Sequence, residues 1–122
     1  MTSSADESVR ALVMDHVEAF NAHDRPRLLA GLARDVVWST GADVFHGIEE
    51  LEEVFDDGLW AMQPSLTVMD MLVDEGRAAV QMAEVLTTEG EQRRFAIACF
   101  FSIRAGCIQQ VTVFREGSAD ID

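Results

Sequence analysis

The chain has 122 residues and a formal charge of −13, from 22 acids against 9 bases. All nine bases are arginine and there is no tyrosine, which removes Schiff-base and P-loop lysine chemistry and any phenolic proton donor. The acidity excludes nucleic acid and anionic membrane surfaces as partners, because both need a basic patch.

The opening MTSSADES is polar and acidic, unlike a signal peptide. Residues 4–22 are predicted to form an amphipathic helix. Ser4 and Glu7 have capping-box spacing, and Val9, Leu12, Val13, His16, Val17 and Phe20 fall on one helical face. Asp24 is placed to cap a second, short helix with Pro26 in its first turn and Leu28, Leu29 and Leu32 inward. VVWST, 36–40, reads as a strand. After Gly47, IEELEEVFDD reads as a third helix with Ile48, Leu51, Val54 and Phe55 inward; its other face is acidic.

Beyond Pro64 the period changes from helical to alternating. LTVMDMLVD, AAVQMAEVLTT, RFAIACFFSIR and IQQVTVFRE are four strand-like runs separated by the turn signals DEG, TEGE and RAGC. Such short connections favour an antiparallel meander, and helices followed by strands imply an α+β class. One domain over residues 1–122 is expected, with a curved sheet enclosing a pocket around the helices. The tail GSADID is expected to fray. The longest apolar run, FAIACFF, is far too short to span a membrane. Cys99 and Cys107 make no disulfide framework, so reduced thiols and a cytoplasmic location are expected.

Four pieces carry a resemblance to a known family: FNAHD at the end of helix one, LARDVVWST, FHGIEELEEVF, and the last hairpin FFSIRAGCIQQVTVFRE. In order and spacing, from about residue 8 to 117, they resemble the nuclear transport factor 2-like superfamily, in its SnoaL-like and ketosteroid isomerase-like branch. The resemblance implies a cone-shaped, cystatin-like fold: a curved antiparallel (mixed) sheet wrapped around three N-terminal helices. Carried over position by position, the isomerases' helix-one tyrosine falls on His16, their general-base aspartate on Thr40 and their protonated aspartate on Cys99. The Arg and Asp of limonene-epoxide hydrolases fall on Thr112 and Val113. Neither of those chemistries is therefore implied.

Strand parity and the resemblance give one inward set. It comprises Met82, Glu84 and Leu86; Ile97, Cys99 and Phe101; Val111, Val113 and Arg115; and Trp38 and Thr40. His16 enters from helix one, Phe55 from helix three, and Trp60 and Met62 are expected to close the mouth. This describes a mostly apolar small-molecule site. Glu84 is its exception, a carboxylate among large apolar neighbours and the candidate acid or base, with His16 as its complement. A structural alternative stands beside that reading, in which Glu84 simply pairs with Arg115 or His16. Arg115, near a strand end, is expected to snorkel to solvent. His16, His23 and His46 lack metal-ligand spacing, and neither metal nor cofactor is expected.

Two functions follow. One is a cofactor-free enzyme doing acid–base chemistry on a hydrophobic oxygenated metabolite: isomerisation, cyclisation, dehydration or epoxide opening. The other is a non-catalytic ligand-binding or dimeric assembly module. A homodimer is expected through the convex sheet face, where Ala79, Ala83 and Val85 point outward.

Overall fold

The computed structural model describes residues 4–116. The GSADID tail lies outside the described residues. Helices α1 (Ser4–Asn21) and α2 (Arg25–Ala30) come first, then strands β1 (Leu32–Thr40) and β2 (Asp43–His46). Helices α3 (Gly47–Val54) and α4 (Asp57–Ala61) precede β3 (Ser65–Asp74), β4 (Arg77–Thr88), β5 (Glu91–Arg104) and β6 (Cys107–Arg115).

The α1 face forms largely as its spacing predicts, burying Val9, Val13, His16, Val17 and Phe20 and half-burying Leu12, with Ala19 buried in addition. Ser4, expected as the cap, is already helical, its carbonyl accepting from the Ser8 hydroxyl at 3.0 Å. Asp24 caps α2, accepting from the Arg27 backbone N–H at 3.2 Å. Arg27 in turn pairs with Asp15 and Glu18 on α1, linking the two helices at the surface.

Two expectations about the middle of the chain need correction. The third helix does not run through residues 48–57: it stops at Val54, because Asp56 is extended and its carboxylate caps a new helix, accepting from Leu59 N–H at 3.1 Å. The described residues thus hold four helices rather than three. The short edge strand β2 was also not foreseen. Four residues carry little periodic signal, and this strand exists by pairing antiparallel with β1.

The six strands form one mixed sheet in the order β2-β1-β6-β5-β4-β3. Only the β1–β6 pairing is parallel; the others are antiparallel. Each hairpin of the β3–β6 meander turns on two residues with positive φ: Glu75-Gly76, Glu89-Gly90 and Ala105-Gly106. That backbone is what a two-residue type I′ turn requires, and glycine adopts it without strain. Register shifts at Leu32/Val37, Val68/Asp70 and Ser102/Ile103 interrupt the ladders and bend the strands. The sheet curls around the helices into a cone, with α1 and α3 packed on its concave face. Leu51, fully buried, anchors α3 there.

The convex face differs in detail from the expectation. Ala83 is buried and Ala79 half-buried, because small side chains sink between larger neighbours. The apolar surface on that side is made instead by Leu72, Phe100 and Phe114, with relative exposures of 69%, 49% and 60%. Among the described residues, no helix is long and apolar enough to cross a membrane.

Candidate functional site

The open end of the cone holds a cavity of about 300 Å³, at the small end of the range for ligand pockets. Strand alternation supplies most of its wall. Met82, Glu84 and Leu86 come from β4, Ile97, Cys99 and Phe101 from β5, Val111, Val113 and Arg115 from β6, and Trp38 and Thr40 from β1. His16 reaches it from α1, and Phe55 and Met62 border it from either side of α4.

Trp60 does not reach the wall. It packs behind Phe55 at 6.1 Å and stacks on His23 at 4.7 Å, forming an outer aromatic layer. The restart of the chain as α4 decides this: successive helical residues point about 100° apart, so Leu59 faces the cavity and Trp60 turns away. Phe20, Val54, Leu59 and Leu66 were missed as wall residues. Phe20 lies four residues after His16 on the same helical face and Leu66 follows the β3 alternation, so both carried a signal. Leu59 carried none, because the helix break is not legible locally.

Glu84 is 7% exposed and sits in the middle of β4. Its Oε1 accepts from Arg115 Nε at 2.8 Å and forms an ion pair with Nη2 at 2.6 Å. Arg115, expected to snorkel to solvent, instead turns its Nε to Glu84 while its side chain stays 30% exposed. From β6 it crosses the intervening strand β5, its Cζ 5.7 Å from the centre of the Phe95 ring, and reaches β4. Of the two structural partners considered for Glu84, Arg115 is the one found. Among the described residues the second oxygen, Oε2, makes no hydrogen bond.

His16 occupies the other end. Its ring lies 5.6 Å from Trp38 and 5.7 Å from Phe101, over the row of the sheet that contains Val111. Arg115 lies four residues further along β6, roughly 13 Å of strand. His16 and Glu84 are thus brought to one cavity but not to each other. Desolvation lowers the His16 pKa from 6.5 to about 4, against a smaller opposing effect of Asp15. The expectation of a histidine titrating near neutrality is corrected: the ring is neutral at pH 7, a hydrogen-bonding group rather than a charged acid. Its Nδ1 is buried with no partner among the described residues.

Cys99 lies between the two ends. Burial, reinforced by Glu84, pushes its thiol up to about 12, against the opposing effect of Arg115, so it is no nucleophile at neutral pH. His23 and His46 are exposed and away from the cavity wall. No three His, Cys, Asp or Glu side chains converge on a common metal position among the described residues.

A six-stranded mixed sheet curled around N-terminal helices, with a cavity at its open end, defines the cone fold of the nuclear transport factor 2-like superfamily. Within it, the chain belongs to the SnoaL-like domain family, whose family model matches residues 13–111. A candidate SnoaL-like polyketide cyclase from Jannaschia sp. is similar at 14% identity with a TM-score of 0.84, over 99% of this chain and 94% of that one. A candidate ketosteroid isomerase from Kribbella flavida shares 24% identity with a TM-score of 0.79, over 90% and 78% of the two chains. TerC, crystallised with polyporic acid, shares 14% identity with a TM-score of 0.82, over 93% and 95%. At these identities the likeness is one of fold. No curated protein matches the chain.

Proposed function

We propose that this protein, acting as one domain, binds a small hydrophobic oxygenated metabolite in the cone and moves a proton on it without a cofactor, by isomerisation, cyclisation, dehydration or epoxide opening. The observation that carries this reading is Glu84: a buried carboxylate on the wall of an apolar cavity, one oxygen held by Arg115 and the other without a hydrogen bond among the described residues. A base held in a fixed direction within a water-poor site is what proton abstraction needs. His16 then serves as a neutral donor or acceptor to a ligand oxygen at the far end, while Thr40 and Cys99 shape the wall between. The family relation and a relative crystallised with polyporic acid support ligand binding in this fold.

The reading is tested with 5-nitrobenzisoxazole, whose ring opening requires one proton to be taken from carbon and releases a coloured phenolate. The wild type should accelerate it over buffer, and Glu84→Gln should lose on the order of a hundredfold or more. Equal rates in the two proteins would end the assignment of Glu84.

A second reading, non-catalytic ligand binding, draws on the same ion pair, because a carboxylate held by the Arg115 guanidinium also braces β4 to β6. In either case we infer a homodimer through the convex face. Leu72, Phe100 and Phe114 form an apolar patch there, flanked by Asp74 and Arg77, a pair suited to exchange across a two-fold axis. Sedimentation at micromolar concentration should give a dimer that Phe114→Glu converts to monomer; a monomeric wild type contradicts it. Two thiols outside any disulfide suit a cytoplasm.

A further inference from the structure

Asn21 ends α1 beside the open edge of the sheet. Its side-chain amide makes two hydrogen bonds to one distant residue. Nδ2 donates to the Leu66 carbonyl at 2.9 Å, and Oδ1 accepts from the Leu66 N–H at 2.7 Å. Asn21 thus meets β3, an edge strand, as a neighbouring strand would. The two backbone groups of one strand residue point the same way, so those of Leu66 point away from β4. Across the ladder Leu66 faces Glu84. Theirs is therefore a non-hydrogen-bonded pair, the kind that brings facing side chains closest. Both side chains line the cavity. Arg115 reaches Glu84 from the β5 side, so Leu66 covers the opposite flank of the carboxylate.

We propose that Asn21 is a positioning residue for Glu84: by holding the backbone of Leu66, it keeps the β3 edge closed over the carboxylate and water away from it. The inference rests on Glu84 being the base of the proposed reaction. A carboxylate abstracts a proton from carbon faster when a fixed wall replaces its hydration shell. On its Arg115 side Glu84 is flanked by two further strands, β5 and β6. On its other side only β3 separates it from solvent, and no strand lies beyond β3. Leu66 is the second residue of β3, so little ladder precedes it, and Asn21 supplies the outer pairing that the sheet lacks. Asn21 is itself exposed and lies off the cavity wall, so it acts through Leu66 rather than on a ligand.

The test follows turnover of 5-nitrobenzisoxazole in a double-mutant cycle. Asn21→Ala removes both hydrogen bonds at an exposed position and should lower kcat about tenfold, with KM within about threefold. Leu66→Ala should lower kcat by a similar factor. The double variant should lose clearly less than the product of the two, because both changes act on one flank of Glu84. Asn21→Ala placed in Glu84→Gln should cost nothing further. Independently of activity, the Leu66 amide should exchange its hydrogen about tenfold faster in Asn21→Ala than in wild type, read by NMR. Unchanged exchange, an undiminished kcat in Asn21→Ala, or fully multiplicative effects of the two changes each overturn the inference. Asn21→Asp keeps the shape but sets an oxygen against the Leu66 carbonyl; it should also lose rate, and it serves where the alanine variant does not fold. Full activity in Glu84→Gln would defeat the assignment of Glu84 as base, and this inference with it. A loss in Glu84→Gln with none in Asn21→Ala defeats this inference alone.

Discussion

Replacing His16 with leucine should flatten the acid limb of the stability curve. His16 is 5% exposed and lies against Trp38 and Phe101, and its burial pushes its pKa from 6.5 to about 4. Between those two values the unfolded chain binds a proton that the folded chain refuses. The contribution of the neutral ring is therefore complete above pH 6.5 and is lost as the pH falls towards 4; below that both states are protonated and no further loss follows. At about 1.4 kcal/mol for each pH unit, the whole effect is about 3 kcal/mol. Leucine removes the titration and also the unpartnered Nδ1, so at neutral pH the variant should lie within about 1 kcal/mol of wild type. Urea unfolding followed by tryptophan fluorescence, at steps from about pH 7 to about pH 4, measures both proteins. The many carboxylates titrate equally in the two, so the difference between the curves isolates His16. Parallel curves would refute the burial of a neutral imidazole.

Leu51 is fully buried beneath α3, so Leu51→Ala should cost about 2–5 kcal/mol in chemical denaturation; a loss well below that range would mean that α3 is not anchored on the sheet as described. Gly47 has φ of +84° and an added Cβ would meet the Arg34 carbonyl at 3.4 Å, so Gly47→Ala should cost about 1–2 kcal/mol, read as a lower denaturation midpoint. Cys107 is half-buried whereas Cys99 has its pKa pushed up to about 12. In the native protein at mildly alkaline pH, Ellman's reagent should therefore modify Cys107 and spare Cys99 until urea is added. A Cys107→Ser variant that still reacts at the native rate would contradict this.

Much of the fold was legible because its signals are local. The buried face of α1 follows from six side chains recurring with the period of a helix. The three hairpins follow from glycine as the second of two positive-φ residues, and Glu84 was visible as an exception because alternation assigns every β4 side chain to a face. The break at Phe55–Asp56 was not legible, since a run of acids and apolar residues at helical spacing continues through it and only the Asp56 cap interrupts it. The placement of Trp60 failed with it, because one misread turn rotates everything that follows.

The sequence by itself determined which side chains share a face, since that depends on backbone periods of two and of 3.6 residues and on the few residues that accept positive φ. It also determined the inventory of chemistry, with arginine as the only lysine-like base and no phenol at all. Only the tertiary structure decided which of those groups meet. Glu84 and Arg115 are 31 residues apart and on strands that are not neighbours; they touch because β5 lies between them at a register that no local window specifies. His16 is neutral because helix and sheet together exclude water from it, and desolvation is a property of the assembled cone rather than of the residue.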